Sequence, residues 1–332
     1  MSRWSRREFL QTSAIASANM AMAQNGTQIP RKQLGKNGAQ VSAIGMGGYH
    51  LGSAEDLKQA KEMVAQAIDA GINFFDNAWD YHDGKSEEWM GEALQGRRKD
   101  VVLMTKVCTH GRDKKVAMQM LEQSLRRLRT DYLDVWQIHE VIYDNDPDLI
   151  FAKGGAIEAL AEAKQQGKVR MVGFTGHKDP AIHLKMLSHR FPFDTVQMPL
   201  NCMDASFRSF QEQVLPEAQR QGISVLGMKS LGGSGEMITK GAVTPVEALR
   251  YAMSLPVATT ISGMDSPGVL QQNVAIARGF QPMSAADRKA LEERCRFYAS
   301  DGRYELFKTT KKYDGDIGRE QHHFPTAKEL PV

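Results

Sequence analysis

Val101-Val102-Leu103-Met104-Thr105-Lys106-Val107, an amphipathic segment over residues 114–129, and Leu133-Asp134-Val135-Trp136-Gln137-Ile138-His139 follow one another in the chain. Each outer run has the length and β-branched, aromatic content of a buried strand and is too short for a core helix. The segment between them makes about four helical turns, so the three read as strand, helix, strand. Working outward, the unit repeats. Upstream lie a strand over 41–46, a helix over 55–70 ended by Gly71, a strand over 72–76 and a helix over 86–94 closed by Gly96. Downstream lie a helix over 156–166 ended by Gly167 and strands over 169–174, 195–198, 224–228 and 258–261, with helices between them. Glycine directly after a helical pattern marks a left-handed C-terminal turn.

Eight such units in about 250 residues predict a (β/α)8 TIM barrel rather than an open doubly wound sheet. An open dinucleotide-binding sheet wants GxGxxG at its first helix. Here Gly45-Met46-Gly47-Gly48 puts His50 where the third glycine should fall, and no GxxxxGK[ST] phosphate loop occurs. The 332 residues divide into a segment 1–23, a barrel over 31–283, and a C-terminal helix with a polar tail over 284–332, read as a cover for one barrel end. With 42% hydrophobic and 24% charged residues the chain is not disordered. A formal charge of +3 without a basic run argues against a nucleic-acid partner. No run of about 18 uncharged apolar residues occurs, so the mature chain has no membrane span. Cys108, Cys202 and Cys295 show neither disulfide nor metal-site spacing and are read as packing residues.

Ser5-Arg6-Arg7-Glu8-Phe9-Leu10 precedes an Ala/Ser-rich apolar run ending in Ala21-Met22-Ala23. Charged start, apolar middle and small residues at the cut form a secretory signal, and the arginine pair makes it resemble a twin-arginine signal. That resemblance implies folding in the cytoplasm, passage through the twin-arginine export machinery and a periplasmic location. Cleavage after Ala23 would leave the mature chain near +1.

In a barrel the chemistry sits at the C-terminal ends of the strands. Those ends carry Asp76, Lys106 and His139, with Tyr81 five residues past Asp76. A phenol has a reference pKa of about 10, too high for efficient proton transfer near neutrality. An ammonium beside it favours the phenolate, and a carboxylate beside the ammonium keeps that charge in place. An imidazole across the site can bond a carbonyl oxygen. The set polarises a carbonyl and donates a proton but contains no nucleophile, so the hydride must come from a nicotinamide. Tyr49, His50 and Trp79 follow strands one and two and are expected to wall the substrate pocket. The remaining histidines, His82, His110, His177 and His183, lack zinc spacing and are read as surface or cofactor-proximal residues, and His322-His323 is read as solvated.

Phe75-Asp76-Asn77-Ala78-x-x-Tyr81, Met104-Thr105-Lys106, Gln137-Ile138-His139 and Ile261-Ser262-Gly263 with Asn273 resemble the aldo-keto reductase superfamily, in order and spacing, from Arg31 to about Ala277. The resemblance implies the (β/α)8 barrel, NAD(P)(H)-dependent reduction of an aldehyde or ketone or the reverse oxidation, and a catalytic tetrad of Asp76, Tyr81, Lys106 and His139. It implies cofactor contacts from Gly47, Gly48, Thr175, Gly176 and Gln197, the last on the carboxamide. Met228 stands where the family has an aromatic ring under the nicotinamide. Lys229, Leu231 and Gly233 fall in a glycine-rich stretch suited to a pyrophosphate, against the alternative of a plain surface loop. After Gly263, NADP-preferring members carry cations; this chain has Asp265, Ser266 and Gln271. An Asp repels a 2′-phosphate and accepts from a ribose hydroxyl, so NAD is expected at least as readily as NADP. The substrate is a small carbonyl or alcohol compound, with a sugar as one candidate. Two rivals stay open: a nicotinamide-binding sensor or auxiliary subunit with little turnover, and a metal-dependent sugar isomerase or epimerase, for which the strand ends offer only one carboxylate.

Overall fold

Eight parallel strands close on themselves in the computed structural model, which describes residues 28–36, 38–108 and 112–330. The signal-like segment 1–23 and His110 lie outside the described residues. A two-stranded hairpin, β1 (Arg31–Gln33) and β2 (Gln40–Ser42), comes first. The barrel follows as β3 (Ile44–Gly47), β4 (Phe74–Asp76), β5 (Val102–Val107), β6 (Leu133–Ile138), β7 (Val169–Thr175), β8 (Thr195–Pro199), β9 (Ser224–Met228) and β10 (Thr259–Gly263). Pairing of Ile261 with Gly45 closes the ring. Helices such as Leu57–Ala70, Lys114–Arg127 and Ala156–Gln165 return the chain between strands. Gly71, at φ 105°, ends the first of them.

The run over residues 41–46 is not one strand. Val41 belongs to the hairpin, and a corner at Ala43 starts the first barrel strand. The corner is pinned from β4's approach: Ser42 N donates to Asn73 Oδ1 (2.8 Å), and Asn73 N donates to Ser42 Oγ (3.1 Å). This sends Val41 and Leu34 under the barrel. There they pack with Phe74, Val102, Val135 and Leu226 in an apolar cluster that plugs its lower end.

A second and larger apolar layer lies between strands and helices, and the division between the two layers follows residue parity. Val102 and Met104 point inward while Leu103 and Val107 join the outer layer. Successive strand side chains alternate faces, so Lys106 must share the interior with Met104. The same count turns Asp76 inward after Phe74, His139 after Val135, Met228 after Leu226, and Gly263 after Ile261. Gln197 lies between the outward Val196 and Met198.

The C-terminal segment begins with the helix Ala285–Ala299, capped by Ser284 with Asp287 in a reciprocal capping box. It then runs over the barrel mouth through the short helices Leu306–Thr309 and Asp316–Gln321. Its anchor is Lys308, fully buried, which donates to Asp204 Oδ1 (2.7 Å), Glu305 Oε2 (2.9 Å) and the Phe207 carbonyl (2.8 Å). His322 is not solvated: its Nε2 lies 2.9 Å from the buried Asp146, while His323 is exposed. Cys202 and Cys295, far apart in sequence, meet with sulfurs 3.7 Å apart as buried free thiols.

Removing one member of a buried ion pair costs about 3–5 kcal/mol because the partner charge is stranded. Lys308→Met strands two carboxylates, so urea denaturation should show a loss of that order, and limited proteolysis should cut the segment after Ala299 first.

Candidate active site

Lys106 is the centre of the constellation. Its side chain is 1% exposed, and Nζ donates to Asp76 Oδ1 (2.6 Å) and the Asn77 carbonyl (2.7 Å). The Tyr81 hydroxyl lies 3.4 Å from the same nitrogen. Tyr81 opens a tight turn, Tyr81–Gly84, in which His82 and Asp83 adopt left-handed backbone angles (φ 53° and 57°). Such angles are unfavourable outside glycine and cluster at functional sites. His139 faces Tyr81 edge to face, ring centroids 5.6 Å apart, and its Nδ1 lies 3.1 Å from Asp80 Oδ1. Glu140, next in the chain, is also left-handed (φ 48°), and its Oε2 accepts from Gly315 N in the C-terminal segment (3.0 Å).

The electrostatics differ from the sequence expectation at one point. The Tyr81 phenol is pushed well above its ordinary range, by burial first and then by Asp76, Asp80 and Glu140. The lowering expected from Lys106 does not prevail over these effects. The phenol of the ligand-free site is therefore fully protonated. Burial also pushes the Glu140 carboxyl up and the His177 imidazole well down. Lys229 falls to about 8, chiefly through burial; Glu140 opposes the shift and Lys106 adds to it.

A cleft of about 650 Å³ opens above these groups. All four predicted catalytic residues line it, as do Tyr49, His50, Gly47, Thr175, Gln197, Met228, Lys229, Leu231, Gly233, Gly263 and Asp265. The other predicted contacts do not. Gly48 and Gly176 serve backbone packing: a Cβ would stand 2.5 Å from the Asp76 carbonyl at the first and 2.2 Å from the Val141 carbonyl at the second. Ser266 caps the helix Pro267–Arg278 through Val269 N, Asn273 donates to Ser262 Oγ (3.1 Å), and Gln271 is exposed on that helix. Trp79 turns away, its indole N–H on Gln123 Oε1 (2.7 Å) and the Arg127 guanidinium over its ring.

The sequence reading missed several lining residues. Asp80 and Glu140 stand one position from predicted ones, so their only signal was adjacency, while His177, read as surface or cofactor-proximal, lines the cleft. Lys312, Tyr313 and Asp314 come from the C-terminal segment, and nothing in local periodicity ties them to the mouth. With Asp80, Glu140 and Asp314 the cleft holds more carboxylates than strand ends alone suggested. Among the described residues, however, no group of three His, Cys, Asp or Glu side chains is arranged to hold a metal ion.

Two features suit a nicotinamide dinucleotide. Gln197 Oε1 is buried without a hydrogen-bond partner among the described residues and faces the cleft, where a carboxamide N–H would satisfy it. Gly232, Gly233 and Gly235 all have positive φ, in a loop whose Leu231, Gly233 and Gly235 amides donate to no described residue. Open backbone N–H groups in a glycine-rich turn can bind an anion. Lys229 lies 5.3 Å from the ring centroids of both Phe307 and Tyr313, beside that loop.

Comparison with known proteins agrees with this geometry. The chain is 27% identical over 275 residues to the uncharacterized oxidoreductase YqkF of Bacillus subtilis, an alignment covering 79% of this chain and 77% of that protein. It is 28% identical to L-galactose dehydrogenase of Arabidopsis thaliana, covering 80% and 93%. The holo form of the aldo-keto reductase AKR11C1 from Bacillus halodurans superposes with a TM-score of 0.68 at 26% identity, covering 80% of this chain and 96% of that one. Residues 43–245 match the model of the Aldo/keto reductase family, and the chain belongs to that family.

Proposed function

We propose that the protein is a nicotinamide-dependent oxidoreductase that interconverts a carbonyl compound and its alcohol, with Tyr81 giving or taking the proton. The observation that carries this reading is the buried chain Asp76–Lys106–Tyr81, with His139 across the same cleft. When bound, the nicotinamide supplies or accepts a hydride. Gln197 and Thr175 would hold its carboxamide, Met228 would pack beside its ring, and Lys229 with the loop 231–235 would hold the pyrophosphate.

The chain's own residues do the rest. Asp76 holds the Lys106 side chain in place, and Lys106 orients the Tyr81 hydroxyl. The protonated phenol donates to the carbonyl oxygen in reduction, while His139 holds that oxygen in place. Asp265 at the cleft edge supports NAD over NADP, since a carboxylate repels a 2′-phosphate and accepts from a ribose hydroxyl. Asp80, Glu140 and Asp314 favour a neutral polyhydroxylated substrate over an anionic one, and the likeness to an L-galactose dehydrogenase supports the same class. The signal-like segment 1–23 supports export and a periplasmic location; mass spectrometry of the mature N-terminus would then begin at Gln24.

Tyr81→Phe should lower kcat by about 10²–10⁴-fold, the usual worth of a general acid, with cofactor Kd by fluorescence titration unchanged. Loss of cofactor binding, or retained turnover, would remove Tyr81 from the chemistry. NADH should bind at least as tightly as NADPH, and Asp265→Lys should tighten NADPH by about tenfold, or 1.4 kcal/mol. A free-protein Lys229 near 8 is charged below that pH and neutral above it. Cofactor affinity should therefore fall as pH rises from 7 to 9, and Lys229→Met should flatten that dependence.

A further inference from the structure

His139 presents two ring nitrogens, and the described residues engage one of them. Nδ1 meets Asp80 Oδ1 at 3.1 Å, which leaves Nε2 to the cleft that the ring lines. Asp80 reaches this position because it precedes Tyr81: the turn that swings the phenol over Lys106 also swings this carboxylate against the imidazole. The hydrogen bond has one possible direction. A carboxylate only accepts, and Asp80 stays a carboxylate. Burial pushes its carboxyl up, but His139 and Lys106 outweigh burial and hold it below the usual range. Nδ1 must then carry a hydrogen, and in a neutral imidazole the second nitrogen is a bare acceptor.

The other charged and titratable groups around the ring do not change this. Tyr81 presents its ring edge to face. Lys106 is held by Asp76 and the Asn77 carbonyl. Glu140 accepts from Gly315 N, and Arg112 donates to the main-chain carbonyls of His139 and Glu140 rather than to the ring. His177 is paired with the Phe307 carbonyl.

We infer that Asp80 is a positioning residue that fixes the hydrogen of His139 on Nδ1, so that Nε2 meets a substrate hydroxyl as an acceptor and bonds a carbonyl oxygen only after taking a second proton from solvent. The inference rests on the oxidoreductase reading above. Carbonyl reduction then draws on the doubly protonated ring. An amide at position 80 offers either an N–H or a carbonyl, frees the tautomer, and lets neutral His139 donate from Nε2.

Two measurements on the full chain test this. In a two-bond ¹H–¹⁵N correlation spectrum, with the His139 signals assigned by their loss in His139→Gln, the wild-type neutral ring should be protonated at Nδ1 and bare at Nε2. Asp80→Asn should shift that balance toward Nε2–H, and Asp80→Glu should restore it. In the pH profile of kcat/KM for carbonyl reduction, wild type should fall about tenfold per unit above the pH at which the spectrum loses the imidazolium. Asp80→Asn should lose that limb. A wild-type ring protonated at Nε2, or an Asp80→Asn profile that keeps the limb, overturns the inference. Should Asp80→Asn fail to fold, the wild-type spectrum and the Asp80→Glu profile decide alone. Absence of any turnover with NADH or NADPH would instead overturn the oxidoreductase reading, and the spectrum would still report the tautomer.

Discussion

An ammonium buried inside a barrel is the constraint on which this site depends. Desolvating such a charge costs several kcal/mol, and a close counter-charge repays it only with good geometry and satisfied protons. Asp76 at 2.6 Å and the Asn77 carbonyl at 2.7 Å take two of the three Nζ protons of Lys106. The third direction is the one in which Tyr81 stands. Both acceptors come from the end of β4, so the Lys106–Asp76 pair also ties β5 to its neighbour at the height where the phenol must sit. The pair is better understood as a positioning device than as a stabiliser, since apolar residues of equal volume would pack the same space at lower cost.

That device is placed by nothing more specific than the pleat. Two residues per repeat put Val102 and Met104 in the barrel and Lys106 two steps further along the same face. In β4, β5, β8 and β9 the cleft-lining side chains keep this parity, which is why polar side chains from different strands converge at one end of an otherwise apolar interior. At the other end the hairpin residues Leu34 and Val41 pack into the apolar cluster that plugs the barrel. The chemistry faces one way because the plug and the polar ends were sorted by the same alternation.

Much of this was legible in the chain. Strand length and alternation identify β5 and β6 almost to the residue, and the strand-end rule finds Asp76, Lys106 and His139. Tyr81 came from spacing. What failed to read from sequence failed for physical reasons. The corner at Ala43 depends on a side-chain bond between Ser42 and Asn73, 31 positions apart. Glycines at 48 and 176 were expected as cofactor contacts from the family resemblance, and the main-chain carbonyls of Asp76 and Val141 that crowd them instead come from distant parts of the chain. The Tyr81 phenol departs from the sequence expectation because its burial, the largest effect, and the added carboxylates of Asp80 and Glu140 are not readable from the strand ends.

The C-terminal segment shows why long-range anchors are built from buried charge. Lys312, Tyr313 and Asp314 must hold fixed places at the mouth, in the stretch after Ala299 whose helices are short. An apolar contact is tolerant of register: sliding by a residue exchanges one hydrophobic neighbour for another at small cost. Lys308 allows no such slip, because Asp204 and the Phe207 carbonyl, about a hundred residues away, are met at one position only, while Glu305 on the same segment completes the set. Lys178 on Asp314 and Glu140 on Gly315 then repeat the restraint closer to the chemistry. Glu140 thus belongs to two systems at once. Its backbone follows His139 at the end of β6, and its carboxylate fastens the cover, so the placing of the imidazole and the closing of the cleft are mechanically one arrangement.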